Sequence, residues 1–305
     1  MLLALLLAAA MPPGQANELR ALSAIDARVA AVGDRLARGG LCRQVLSSPG
    51  WVLQDAAQYS PGLREAARTI LGLGEWPSIV ALVPGSAATR SGLQPGDEIV
   101  AVNGTPVPAK ARGYARVEQV EQLVEDALSK GIAQLQVRRA GKQIDVGVAP
   151  EPGCRSRFQL LTGRGLNAKA DGRYVQVTGE LVAFVKSDDE LALVIAHELA
   201  HNILGHRERL DAAGVSRGLF VGLGKNRMRI RETELEADRL ALYLMARAGY
   251  DIAVAPAFWE RFGHSSVPGF LSDGTHPGAR ERARRAEAEI ARIRAQQAGG
   301  QAPTP

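Results

Sequence analysis

The chain has 305 residues, 46% of them hydrophobic and 23% charged, which is enough apolar material for two folded domains and excludes a disordered or collagen-like polymer. Its longest apolar run falls short of the ~20 residues that a bilayer crossing needs, so a polytopic membrane protein is excluded. A net charge of +5, much of it in one C-terminal segment, is too mild to indicate nucleic-acid binding, and none is expected; two cysteines cannot build a disulfide-dense scaffold or a four-cysteine metal site.

Residues 2–10 are all Leu or Ala, and Pro12, Pro13 and Gly14 follow. With Gly14 and Ala16 as the small residues of a cleavage site, 1–16 reads as a secretory signal, although no Lys or Arg precedes the run. Export predicts a periplasmic or secreted protein and permits a disulfide between Cys42 and Cys154. Leu22, Ile25, Val29, Val32 and Leu36 recur at steps of three and four, which predicts an amphipathic helix over 19–36. Gly39 and Gly40 stop it. Residues 51–59 fit no single pattern. A short helix is expected over 63–71, with Pro61 near its start and Gly72 and Gly74 at its end.

From 75 to 150 the pattern changes to short β-rich runs at 79–83, 98–102, 133–137 and 144–148. Turn signals separate them at Pro84-Gly85, Pro95-Gly96-Asp97, Asn103-Gly104 and Gly141-Lys142. One helix is expected over 117–128, with Val117, Val120, Leu123, Val124, Ala127 and Leu128 on one side. Pro150, Pro152 and Gly153 close this module.

Strands follow at 158–161 and 174–177, and Ser187 with Glu190 has the spacing of a capping box. The helix it opens, 190–204, contains His197-Glu198-Leu199-Ala200-His201. Histidines four apart lie one turn apart on one helical face, so both imidazoles reach one metal ion. Glu198 is rotated off that line yet near enough to orient a metal-bound water and take its proton. One zinc ion per chain is expected, and its third ligand must come from elsewhere. The run from Glu232 to Leu240 offers carboxylates; Glu234 and Asp238 share a face, and spacing alone leaves Glu234 and Glu236 both open. His206 and His264 read as structural or surface histidines. The apolar run 219–223 inside the loop 211–229 reads as a flap or a peripheral membrane contact, too short to span. Residues 279–294 form an Ala/Arg/Glu-rich helix, and 296–305 a frayed tail.

Two resemblances organise these readings. The stretch from Gly85 through Gly92-Leu93, Pro95-Gly96-Asp97 and Val102-Asn103-Gly104 resembles the PDZ family. The resemblance implies a C-terminal or extended peptide as ligand, added to a sheet edge beside the 117–128 helix. Leu71-Gly72-Leu73-Gly74 is the candidate carboxylate-binding loop, although no aromatic follows it directly. The run from Asp189 to Asn202, with Glu234-Leu235-Glu236-Ala237-Asp238-Arg239, is similar to the M48 family of zinc metallopeptidases. That resemblance selects His197, His201 and Glu234 as zinc ligands, and Asp238 as the support of a ligating histidine. It also implies that His276, in Thr275-His276-Pro277, lies near the metal, where it stabilises the oxyanion or contacts zinc in a closed state, and that Arg282 supports the site. The fold implied is α+β: a mainly helical zincin-type domain with a small sheet and an inserted PDZ domain. The expected division is a signal at 1–16, an N-terminal helical part of the peptidase at 17–70, PDZ at 75–150, the catalytic domain at 154–295 and a tail at 296–305. Cys42–Cys154 would pin the two sides of the insertion. The function implied is endopeptidase action on unfolded or misassembled cell-envelope polypeptides. The rival is a PDZ-bearing chaperone or adaptor with a latent zinc site.

Overall fold

Helix α1 (Pro13–Ala37) buries Val29, Val32 and Leu36 on one face, the stripe that its period of three and four requires. The computed structural model describes residues 13–215, 224–264 and 277–305, so the apolar runs at 2–10 and 219–223 lie outside the described residues. α1 lies so close to Phe158 that a Cβ at Gly33 would overlap the ring.

Strands β1 (Gln44–Val45) and β2 (Trp51–Gln54) follow, then a 3-10 turn whose first amides are capped by Asp55. Next come α2 (Pro61–Leu71), β3 (Ser78–Leu82), α3 (Ala87–Arg90), β4 (Glu98–Val102) and β5 (Thr105–Pro106). Then α4 (Tyr114–Ser129), β6 (Ala133–Arg139) and β7 (Lys142–Val148) complete the module. The antiparallel sheet has the order β2-β3-β4-β6-β7, with β5 on β4. α4 closes one core: Val120, Val124 and Leu128 pack with Ile79, Ile99, Leu135 and Val137.

Two expectations are corrected here. Residues 51–54, assigned from sequence to the N-terminal part of the peptidase, form an edge strand of this sheet. Only Trp51 and Leu53 face its core, an alternation too short to read as a strand. The Leu71–Gly74 segment does not lead the groove strand; Gly72 ends α2 in the left-handed conformation. The edge beside α4 is β2, introduced by Gly50 (φ 87°), and the Trp51 indole N–H donates to Glu121 of α4 at 2.9 Å.

The chain returns through β8 (Pro152–Gly153), which pairs with β1, next to the Cys42–Cys154 disulfide. Strands β9 (Arg157–Leu161), β10 (Ala168–Ala170) and β11 (Tyr174–Thr178) form a small sheet in the order β10-β11-β9. Then come α5 (Gly179–Phe184), α6 (Asp188–Ile203), α7 (His206–Ala212), α8 (Gly224–Arg247), α9 (Ala255–Gly263) and α10 (Ala279–Ala298). α6 is the axis of this half: every residue from Glu190 to Ala200 is buried. Such a helix is apolar all round because neighbours cover it on every side, here α1, α8 and the small sheet. At its start Ser187 Oγ accepts from the Glu190 N–H, while the Glu190 carboxylate accepts from the Lys186 N–H at 2.7 Å. Glu190 thus reaches one residue further back than a capping box requires. Val29 and Leu36 of α1 join residues of α6, α8, α9 and α10 in a second core. The architecture is α+β, with the β-rich module inserted between two parts of a mainly helical unit.

Candidate metal centre

α6 and α8 lie side by side, and their facing residues build the site. His197 and His201, one turn apart on α6, bring their Nε2 atoms to 3.2 Å. Glu234 of α8 faces both: Oε2 is 3.2 Å from His197 Nε2 and Oε1 is 3.5 Å from His201 Nε2. Taking one donor atom per residue, the three lie within 4.8 Å of one another. Ligands ~2.1 Å from a tetrahedral ion are about 3.4 Å apart, so two imidazoles and a carboxylate at these separations fit a first-row divalent cation. Electrostatics agree. Burial disfavours a charged imidazole at His197, but the carboxylates of Asp238 and Glu234 override it and push its pKa up to about 9. The pocket therefore attracts positive charge.

Asp238 sits one turn beyond Glu234 on α8, and its Oδ1 is 2.9 Å from His197 Nδ1. An ionised carboxylate can only accept, so Nδ1 keeps a proton and Nε2 is the nitrogen that a metal would take in place of a second proton. Burial raises the cost of ionising Asp238, but Arg282 and His197 outweigh it and hold the carboxyl below its usual range. Arg282 of α10 donates through Nε to Asp238 Oδ2 at 2.8 Å and also bonds Oδ1 through Nη2. Its guanidinium lies 3.4 Å from the ring centre of Trp259, a cation–π contact that α9 supplies.

Glu198 is 5% exposed and borders a cavity of about 240 Å³ that also contains His197, His201 and Glu234. Lys169 and Ala170 of β10 line the same cavity. β10 is an outer strand of its sheet, so an extended chain laid beside it would run past Glu198.

Comparison with known proteins agrees with this geometry. Residues 143–228 and 220–290 match the model of peptidase family M48, and residues 78–139 match a PDZ domain model. The chain carries an M48 peptidase domain and a PDZ domain. It is 33% identical over 136 residues to the "Mitochondrial metalloendopeptidase OMA1" of Arabidopsis thaliana, across 37% of this chain and 27% of that protein. It is 29% identical over 168 residues to the "Putative beta-barrel assembly-enhancing protease" of Vibrio cholerae, across 42% of this chain and 34% of that protein. The chain thus spans about a third or less of the length of these two relatives. A solved HtrA3 PDZ domain bound to a phage-derived ligand is 23% identical, across 34% of this chain and 85% of that one, with a TM-score of 0.24.

Within the M48 domain the structure separates residues that spacing could not. Glu234 faces His197 and His201, whereas Glu236 bonds His206 and Arg209. Arg282, expected only to support the site, is 1% exposed and locked onto Asp238. His276 lies outside the described residues. His264 is exposed, and its Nδ1 lies 2.6 Å from the Glu260 carbonyl oxygen. His206 is buried and touches His201, with Nδ1 atoms 2.9 Å apart. Burial, and then the neighbouring His201, push the His206 pKa down to about 4, so it is neutral. Trp259 and Asn202 also escaped the sequence reading. Asn202 accepts from the Gly172 N–H at 2.7 Å and donates to Ser156 Oγ at 2.9 Å, which fixes the end of α6 against the small sheet.

Proposed function

We propose that this M48 peptidase is a zinc-dependent endopeptidase that cleaves unfolded or misassembled polypeptides of the cell envelope, with Glu198 as its general base. The observation that carries the reading is the convergence of His197, His201 and Glu234 beside Glu198 in a cleft flanked by the β10 edge. When bound, zinc supplies a Lewis acid that lowers the pKa of water and polarises the scissile carbonyl. His197, His201 and Glu234 hold it, and Asp238 keeps the His197 tautomer correct. An extended substrate segment adds to the outer edge of β10, which supplies main-chain hydrogen bonds without selecting sequence. Glu198 removes a proton from the attacking water and returns it to the leaving amine.

The envelope assignment draws on the Cys42–Cys154 disulfide, which an oxidising compartment permits, and on the name of the Vibrio cholerae relative. The PDZ groove between β2 and α4 is read as a second polypeptide site, for a chain end or an extended segment. Glu198→Gln keeps size and polarity but cannot accept the proton. In the purified chain it is expected to retain one zinc ion and to lose at least ~100-fold of its activity on an unfolded test protein. An unchanged rate in that variant would overturn the mechanism.

A further inference from the structure

We propose that His206, with Glu236 and Arg209, is a positioning chain that fixes the tautomer and orientation of His201, a role that nothing in the sequence motif assigns. The inference rests on the metal reading above and concerns residues that this reading does not use.

The two histidines of α6 need the same thing: a lone pair on Nε2 and a proton on Nδ1 held by an acceptor. His197 has Asp238 for this purpose. Among the described residues, no carboxylate occupies the equivalent place at His201. His206 Nδ1 is there instead, at 2.9 Å from His201 Nδ1, with the two rings edge to face and their centres 4.8 Å apart. The far nitrogen of His206 is 2.9 Å from Glu236 Oε2. Arg209 donates to both Glu236 oxygens, at 2.6 and 3.3 Å.

The proton assignment follows from the end of the chain. Glu236, paired with a guanidinium, is ionised and can only accept, so His206 Nε2 carries a hydrogen. In the tautomer that donates to Glu236, His206 presents a lone pair at Nδ1. His201 must donate its own Nδ1 proton there, and its Nε2 lone pair points at His197 and Glu234. Reversing any one bond puts two donors or two lone pairs face to face. The turn makes the contact available: Gly205, at φ 60°, reverses the chain within one residue, so His206 at the start of α7 folds back onto His201. A merely space-filling histidine would not engage both ring nitrogens with a metal ligand and a carboxylate.

The test is zinc affinity, read by competition with a chromophoric chelator, in the full chain. His206→Phe preserves an aromatic ring of similar size and removes both nitrogens. Glu236→Ala breaks the chain at its half-exposed end, where folding is least at risk. His206→Phe is expected to weaken zinc binding ~10–100-fold with the fold intact by circular dichroism, and Glu236→Ala several-fold. His206→Gln, which can still accept through Oε1, is expected to recover part of the loss. Wild-type affinity in both His206→Phe and Glu236→Ala would overturn the positioning role while leaving the metal reading intact. A wild-type chain that binds no zinc, with His201→Ala as the control, would overturn the metal reading and this inference with it. A lowered melting temperature with unchanged zinc affinity would mean that His206 is only a packing residue.

Discussion

Asp26 on α1 shows how much a single buried carboxylate can set. It accepts from the Leu160 N–H of β9 at 2.7 Å and from Gln54 Nε2 of β2 at 3.4 Å. Burial raises its pKa, and those two hydrogen bonds only partly oppose the rise. Its charge faces Tyr59, whose pKa burial, then Asp26, pushes up to about 12. A carboxyl whose folded pKa lies above the unfolded ~3.9 binds its proton more tightly when folded. Its charge therefore costs stability increasingly as pH rises from the unfolded value toward the folded one. Asp26→Asn keeps an acceptor for Leu160 and removes the charge. It is expected to melt at a higher temperature at pH 7, with the gain shrinking as pH falls toward 4. Thermal melts across that range decide it, and a difference that does not change with pH would refute the electrostatic account. Residues of this kind are invisible in sequence, since Asp26 reads as one polar position of an amphipathic helix. The pair His197 and His201 was legible because a spacing of four fixes a shared face without tertiary knowledge. Glu234 and Glu236 were not separable, because the neighbour of each face of α8 is decided by packing. Arg282 reaches Asp238 from α10 with Trp259 of α9 stacked on its guanidinium, and no local pattern records that meeting.

At the scale of elements, the joint between α4 and the small sheet is built from charges. Arg157 of β9, its side chain 5% exposed, donates to Glu125 at 2.6 Å, to the Glu121 carbonyl at 2.8 Å and to the Tyr174 hydroxyl at 3.1 Å. Glu118 takes the Tyr174 hydroxyl proton as a hydrogen bond, and Arg155 pairs with Glu125 from the edge. In sequence, Glu118, Glu121 and Glu125 recur at three and four residues along the flank of the apolar stripe of α4, the pattern of a solvated face. The strands and the helix of the inserted module could be read because turn residues and apolar periodicity are local. This face could not, because what buries it comes from β9, some thirty residues later. Burial pushes the Glu121 pKa up and Arg157 opposes it, so removing the guanidinium leaves the buried Glu121 without this counter-charge. Arg157→Ala is expected to destabilise the chain by ~3 kcal/mol, the scale of breaking a buried ion pair from one side. The triple change Arg157→Ala, Glu121→Gln, Glu125→Gln is expected to recover part of that. Urea unfolding of the single and triple variants measures both values, and a single variant within ~0.5 kcal/mol of the parent would show that the joint is held by packing instead.

For the whole molecule, the disulfide sits where topology gives it the most to constrain. The chain leaves the helical core after α1 and comes back to it at β9, and Cys42 and Cys154, 112 residues apart, close that excursion at its base beside the β1–β8 pair. A loop of ~100 residues costs about 4.7 kcal/mol of unfolded-state entropy to close in the chain-entropy model, and measured losses for native disulfides run to ~2–5 kcal/mol. The inserted module has its own core and depends little on this closure. The peptidase core does depend on it, because α1 must be held against α6 across the insertion. Reduction should therefore separate two transitions that oxidation keeps together. Of the three tryptophans, Trp51 and Trp76 belong to the inserted module and Trp259 to the peptidase core. A chain with Trp51→Phe and Trp76→Phe reports the peptidase core by fluorescence alone, and circular dichroism reports both parts. With reductant present, the fluorescence midpoint in urea is expected to fall by the equivalent of ~2–5 kcal/mol, ahead of the remaining dichroism change. Comparing the same chain with and without reductant isolates the cross-link, because no residue in the packed site of Cys154 changes size. Coincident transitions at an unchanged midpoint would mean that the contacts of α1 hold the core closed without the covalent link.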